Sequence, residues 1–325
     1  MTLDPWTLWS LPLGAVIDAV VGDPRGWPHP VRWIGRGITE AEHALRAPIS
    51  RVNGRATAER TAGVVLVLLV VISIGGAALG LVAIANWFGG PLDLVIRALM
   101  IHFGLAARSL RDEALRASEA PDLAAARREL MMIVGRDTAD LEWPEVCRAC
   151  VETVAENSND GVIAAIFWYA VGGPVGLWIY KSVNTLDSMV GYRNPRYRDF
   201  GWASARLDDV MGFLPARLTW LLMGLSALIL GERPLSAIRL GWRDGRNHPS
   251  PNSAWSEAAM AGALGIQLGG MSTFAGIASP KPLLGDPGDP IDPRTVRRAV
   301  RVMLLASWIA IAIAWGVRTG LFGRA

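Results

Sequence analysis

Long uncharged runs alternate along this chain with short, densely polar ones, and the lengths of the uncharged runs decide its class. Ala62 to Phe88 holds 27 residues without a charge, more than the roughly 20 that carry an α-helix across a hydrocarbon core of about 30 Å. Gly161 to Tyr180 is likewise uncharged. Val210 to Gly231 carries one charge, Arg217, which at the bilayer centre costs about 2.5 to 3.5 kcal/mol on insertion scales. Val302 to Val317 is shorter, with Arg301 and Arg318 at its ends able to snorkel to the interface. Ala258 to Pro280 has no charge either, but its small residues (GALGIQLGG) predict close helix packing more than lipid contact. The pattern predicts an all-α, polytopic integral membrane bundle of about five to eight membrane segments.

Between these runs, Leu92 to Arg116 reads as a helix interrupted by Arg97, His102 and Arg108. Asp122 to Asn157 is amphipathic and charged, with a break near Gly135 and Pro144, and is expected in water. It forms the main part of a polar helical insertion at about 108–158 within a single domain, 1–325. In GVIAAIFWYAVGGPVGLWIYKSVNTLDSM, Gly172-Gly173-Pro174 falls near the middle of the apolar part. Such a break fits a re-entrant helical hairpin, tolerated at membrane depth where protein or water covers the exposed backbone. A single crossing would put the flanks of Gly161–Tyr180 on opposite sides, whereas a hairpin keeps them in one compartment. The N-terminus opens with an acid, lacks a basic leader and holds Asp18 in its apolar part, so a retained segment is expected in place of a signal peptide. No internal repeat or low-complexity tract occurs.

Composition agrees: 51% of residues are hydrophobic, 19% are charged, and mean hydropathy is +0.30. A net charge of +3 points to no polyanion partner, and nucleic-acid binding is not indicated. The basic stretch Arg25 to Arg60 is expected on the cytoplasmic side. All but two of the basic residues are arginine, which reads first as compositional bias. Cys147 and Cys150 form a lone C-x-x-C on a helix, too few ligands for structural zinc and without the βαβ context of a redox motif, so both read as buried small hydrophobes.

Five polar clusters flank the apolar segments, where an unpaired charge is expensive and function is a reasonable first hypothesis. GDPRGWPHPVRWIG holds Asp23 and His29 in a backbone stiffened by prolines, and an ordinary turn has the same look. GRDTADLE reads equally as a helix start capped by Asp137 or Thr138. In ETVAENSNDG, Glu152, Glu156 and Asp160 recur every four residues, so as a helix they share a face and repel by about 0.2 to 0.5 kcal/mol per pair. That face is either solvated or supplies oxygen ligands to a hard cation such as magnesium. YKSVNTLDSMVGYRNPRYRDFG carries Lys181, Asn184 and Asp187 at helical spacing, then Arg193; Arg206, Asp208 and Asp209 follow, together a phosphate site or an internal ion-pair network. RDGRNHPSPNSAWSEAA places His248, Ser250 and Asn252 among prolines, with Asn252 or Ser253 placed to cap a helix and Ser253–Ser256–Glu257 cap-like. Phosphate-binding P-loops, nucleophile elbows and zincin pairs are missing from the sequence.

The ordered series GDPRGWPHPVRWIG, VGRDTADL, ETVAENSNDG, YKSVNTLDSMVGYRNPRYRDFGWASARLDDV, PARLT and RDGRNHPSPNSAWSEAAMAGALGIQLGG resembles the CbiB/CobD family of adenosylcobinamide-phosphate synthases, from about Gly14 to Val300. The resemblance implies an inner-membrane enzyme that uses ATP and magnesium. It would join an aminopropanol, or its phosphate, to a propionate of adenosylcobyric acid as an amide, with the corrinoid as substrate. Its active site is expected on the cytoplasmic side, with the lipid bilayer and other cobamide-assembly enzymes as partners. The expected roles follow residue chemistry. Glu152, Glu156, Asp160, Asp187 and Asp208 are candidate metal ligands, and Lys181, Asn184, Arg193, Arg206 and Asn252 candidate nucleotide and phosphate contacts. His29 and His248 are candidate bases for the attacking amine. The chain departs from the family pattern at Ala165, at Gly212, where an amide is usual, and at Ala254 with Ser256. A regulator of the related ampicillin-resistance type and an anion transporter built on a broken helix remain open at this point.

Overall fold

The computed structural model describes residues 5–49, 55–274 and 276–322. Thirteen helices and one β-hairpin follow each other among them. The first seven helices are α1 (Pro5–Leu8), α2 (Ser10–Val21), α3 (Pro30–Arg46), α4 (Arg55–Phe88), α5 (Gly90–His102), α6 (Ala107–Ser118) and α7 (Leu123–Met131). Helix α8 (Trp143–Asn157) runs through a π-helical turn, Ser158–Ile163, into α9 (Ala164–Val190). Then come α10 (Trp202–Ile229), α11 (Pro234–Asp244), α12 (Ser253–Leu264), β1 (Leu268–Phe274), β2 (Ile277–Leu284) and α13 (Pro293–Phe322). Five helical stretches are long and apolar enough to cross a membrane: Arg55–Phe88, Gly90–Ser118, Trp143–Val190, Trp202–Ile229 and Pro293–Leu321. The chain is a multi-pass helical membrane protein, as its hydropathy pattern predicts.

Contacts cluster in two compact units: Met1–Leu105 with Ala165–Met211 and Ile313–Ala325, and Ala106–Ala164 with Gly212–Ala312.

In the first unit α2 and α4 pack on α5, and α3 packs on α4. The charges that interrupt its apolar helices are neutralised in place. Arg97 donates to Asp93 Oδ1 at 2.6 Å and to Asn86 Oδ1 at 2.6 Å, while Thr7 Oγ1 donates to Asp93 Oδ2 at 2.8 Å. Intramembrane ions are tolerated when paired in this way.

Helix α9 breaks at Gly173, where φ is 61° and ψ is −154°, a region open essentially only to glycine. Pro174 follows without a donor to continue the ladder. Beyond the break the chain turns back on itself. A Cβ on Gly176 would lie 2.3 Å from the Trp168 carbonyl oxygen, although eight residues of straight helix would separate the two by about 12 Å. The GGP break therefore builds a helical hairpin. Arg318 Nη1 donates to the Tyr169 and Ala170 carbonyl oxygens at 3.3 and 3.4 Å, answering backbone acceptors that the interrupted helix leaves over.

In the second unit α8 packs against α6, α7 and α12, and α11 packs on α12. The sequence expectation that Asp122–Asn157 lies in water fails for α8. Nine of its residues are buried, including both cysteines, Val146, Val151 and Glu152. Apolar residues occupy several faces, so the helix is wrapped by its neighbours. The uncharged Ala258–Pro280 stretch also departs from the expected packed helix. It ends α12 at left-handed Gly265 and then forms an antiparallel hairpin, with Phe274 paired to Ile277 at the turn. Register shifts between Leu268 and Gly270, where Gly269 and Gly270 have φ of 84° and 87°. A Cβ on Gly269 would lie 2.0 Å from the Pro282 carbonyl oxygen, so only glycine admits this bulge.

Candidate active site

The hairpin is tied to α8 by charge. Glu152 is buried; its Oε1 accepts from the Gly269 N–H at 2.9 Å and its Oε2 pairs with Arg136. Arg148, one turn earlier, donates to the carbonyl oxygens of Gly269 and Met271. At the hairpin tip the Asp137 N–H donates to Thr273 O at 2.8 Å, and Asp137 Oδ2 accepts from the Gly276 N–H at 2.8 Å. GRDTADLE is therefore a clamp on the hairpin, and neither Asp137 nor Thr138 caps a helix, since Thr138 Oγ1 donates to Arg127 O.

Underneath lies a carboxyl the sequence reading passed over. Glu257, read there as part of a cap signal, sits on α12 with only 3% of its surface exposed. Burial pushes its carboxyl well above the ordinary value of 4.5, and Glu156 and Glu152 push the same way, while Lys281 of β2 and Arg136 oppose them. Lys281 is one of the two lysines in the chain, which was the one signal available in sequence. Because folded Glu257 holds its proton above the pH at which the unfolded chain releases it, stability must fall as pH rises from 4.5 upward. Glu257→Gln removes this slope. Thermal unfolding of the two proteins from pH 5 to pH 8 should show the variant gaining on wild type as pH rises, and parallel curves would sink the assignment.

The repulsion expected along Glu152, Glu156 and Asp160 is relieved at the two outer positions. Glu152 has Arg136 and Gly269; Asp160 Oδ1 accepts from Asn159 Nδ2 at 2.6 Å, and Asn159 Oδ1 accepts from Thr219 Oγ1 at 3.0 Å. The π turn begins at Ser158, so Asp160 leaves the strict four-residue register. Such turns recur at functional sites.

Asn252 and His248 lie in the same unit. Arg217, expected as an intramembrane liability, stacks on Phe213 at 3.7 Å and Trp255 at 4.6 Å, and donates to Asn252 Oδ1 at 2.9 Å. The rings shield its charge, and Nη1 donates to Asn252 Oδ1 and to the Phe213 carbonyl oxygen. Asn252 consequently makes no side-chain cap for α12. Gly212 has a role too, since a Cβ there would come within 2.6 Å of Asn252 Nδ2. Asp244 secures the far end of the hairpin by accepting from the Gly285 N–H at 2.8 Å. Burial favours its neutral form, but the Arg243 fork and the Gly285 N–H prevail and hold its pKa below the usual value.

The two candidate bases share a local geometry. His29 Nδ1 accepts from the Val31 N–H at 3.2 Å and so caps α3, and His248 Nδ1 accepts from the Ser250 N–H at 3.1 Å. Each ring is left with Nε2, the protonated nitrogen of the tautomer this bonding assigns. His29 Nε2 lies 3.3 Å from Asp23 Oδ1. Asparagine reproduces the capping acceptor but loses the Asp23 contact, so His29→Asn should be more stable than His29→Ala, which also loses the cap, worth about 1 kcal/mol. Equal melting of both variants would remove the cap from the account.

The remaining predicted residues belong to the first unit. Lys181 is buried, and Asn184 and Asp187 follow it on the second arm of the α9 hairpin. Chain closure at Gly191 covers Asp187, since a Cβ there would sit 1.9 Å from Asp187 Oδ1. Arg206 is exposed, with Nη1 3.7 Å from Asp209 Oδ2. Arg193 is exposed, and Asp208 lies on α10 beside Asp209.

Residues 11–303 match the CobD/Cbib protein family. The chain belongs to this family. It is 45% identical over 329 residues to the cobalamin biosynthesis protein CobD of Klebsiella pneumoniae, covering all of both chains. It is 45% identical over 333 residues to CbiB of Salmonella typhimurium, again covering all of both. CobD of Geobacter metallireducens is 49% identical over 302 residues, which cover 92% of this chain and 93% of the relative. No solved structure matches the chain.

Proposed function

We propose that the chain acts in cobalamin biosynthesis as the adenosylcobinamide-phosphate synthase, joining an aminopropanol or its phosphate to a propionate of adenosylcobyric acid through an amide bond. Its place would be the bacterial inner membrane, with the reaction on the cytoplasmic side. The observation that carries the reading is the ionisable cluster of Arg136, Glu152, Glu156, Glu257 and Lys281 beneath the hairpin. Arg136, Glu152 and Glu257 are buried, which is expensive and seldom repaid in stability, whereas carboxyls and cations gathered in one place are what acyl activation and phosphate handling demand.

A carboxylate accepts an amine only after one oxygen becomes a leaving group, and ATP with magnesium would supply that activation. Among the described residues no set of three or more acidic, histidine or cysteine side chains forms a metal cage. Glu156 and Asp160 fit a magnesium that arrives on nucleotide phosphates, an ion commonly held by one or two carboxylates. Glu152, with Arg136 on one oxygen and Gly269 on the other, positions the hairpin. Lys281 and Arg136 supply positive charge towards an acyl or phosphoryl oxygen. Glu257, whose carboxyl pKa is pushed upward by burial and by Glu156, is the candidate donor in the same cluster. His248 would present its Nε2–H as a donor to an oxygen of the reacting group, and Lys181, Arg193 and Arg206 are proposed separately as phosphate contacts within the first unit.

Mass spectrometry of the purified protein with adenosylcobyric acid, aminopropanol or its phosphate, ATP and magnesium tests the reading. The amide-linked corrinoid is expected, and Glu156→Gln and Asp160→Asn should each lower its formation about 100-fold without loss of fold. Near-wild-type turnover would remove those two residues from the site. Unmodified corrinoid from an intact preparation would overturn the synthase itself, and uptake into sealed vesicles without covalent change would replace it with transport, for which the broken α9 is the structural motive.

A further inference from the structure

We infer that a basic pocket of the second unit binds the phosphate of an anionic membrane phospholipid. The cavity, of about 650 Å³, is lined by Arg111 of α6 and by Arg294, Arg297, Arg298, Arg301 and Leu304 of α13. The four α13 arginines recur at three- and four-residue steps, so they share one helix face. No carboxylate lines the cavity. Three of its arginines are fixed from outside it. Arg297 Nη1 bonds Glu119 at 2.6 Å, Arg298 Nε bonds Glu232 at 3.0 Å, and Arg111 Nη1 lies 3.3 Å from Asp112. These pairs hold the guanidinium groups in place while leaving positive charge over. Arg301 makes no ion pair among the described residues, and Arg294 acts on Asp292.

Position identifies the source of the phosphate. The uncharged run Val302–Val317 starts immediately after Arg301, so the arginines lie where the apolar segment meets the headgroup layer. Leu304 carries the lining one turn into that segment, which suits the glycerol and first acyl carbons of a lipid and offers nothing to a free phosphate. Guanidinium forks match phosphate oxygens in pairs.

The test is native mass spectrometry of the purified full chain equilibrated with equal amounts of phosphatidylglycerol and phosphatidylcholine. Wild type is expected to retain phosphatidylglycerol preferentially, and Arg294→Gln/Arg301→Gln to lose about ten-fold in that preference. Both side chains are exposed, and single Arg301→Gln serves if the double variant melts early. Equal retention of the two lipids by wild type, or an undiminished preference in the variant, would overturn the proposal. Millimolar inorganic phosphate should not displace the lipid; variant-sensitive phosphate binding without any lipid preference would overturn the lipid assignment.

Discussion

Arg136→Met should lower the stability of the protein by about 3 to 5 kcal/mol, because it strips a buried carboxylate of its counter-ion. The Arg136 and Glu152 side chains are only 6% and 3% exposed, so water cannot take the place of the guanidinium. Glu152 would keep the Gly269 N–H, one neutral donor for a full charge. Against a total stability of about 5 to 15 kcal/mol, such a loss should appear as a large drop in the unfolding midpoint, with early proteolysis at the hairpin. The same variant leaves Glu257 with one opposing cation fewer. Arg136→Met/Glu152→Leu is the informative partner. Replacing both members of a buried pair by apolar groups is often close to neutral, so the double variant should melt well above Arg136→Met. A single variant as stable as wild type would show that the pair does not anchor the hairpin.

The spans were legible because charge cannot hide in a bilayer. Ala62–Phe88 and Val302–Val317 read as membrane segments from composition, and the structure has long helices there. Gly172-Gly173-Pro174 was legible for a local reason, since its residues permit the turn whatever surrounds it. The β-hairpin was not. GALGIQLGGMSTFAGIASP lacks charge although most of its strand residues are at least partly exposed, and lack of charge does not separate a packed helix from a short hairpin. Glu257 was misread because Ser253–Ser256–Glu257 fits a capping pattern, whereas its charge is governed by burial and then by Glu156, Lys281 and Arg136, all distant in sequence. Long-range electrostatics leave no periodicity. The same limit hid the function of GRDTADLE, whose acceptors and donors lie on a strand turn more than a hundred residues away.

Gly176→Ala should prevent the α9 hairpin from closing, at a cost in the upper part of the roughly 1 to 3 kcal/mol of overpacking, or beyond it. The obstacle is backbone: the new methyl would lie 2.3 Å from Trp168 O and 3.3 Å from its carbonyl carbon, atoms that no rotamer change can move. The two arms must separate, and with them Trp168, whose indole donates to Met211 O at 3.0 Å, and Trp178, whose indole donates to Met100 O at 3.0 Å. Lys181, Asn184 and Asp187 ride on the second arm, so their placement in the first unit should shift with it. Gly172→Ala is the control within the same motif. Its Cβ would meet nothing within 4 Å and its φ is not positive, so the substitution should be neutral or stabilise by about 0.4 to 1 kcal/mol through the unfolded chain. Unfolding midpoints and tryptophan emission separate the two variants. A straight α9 would have solvent or lipid around both glycines and would tolerate alanine equally at each, so matched behaviour of the pair would exclude the hairpin.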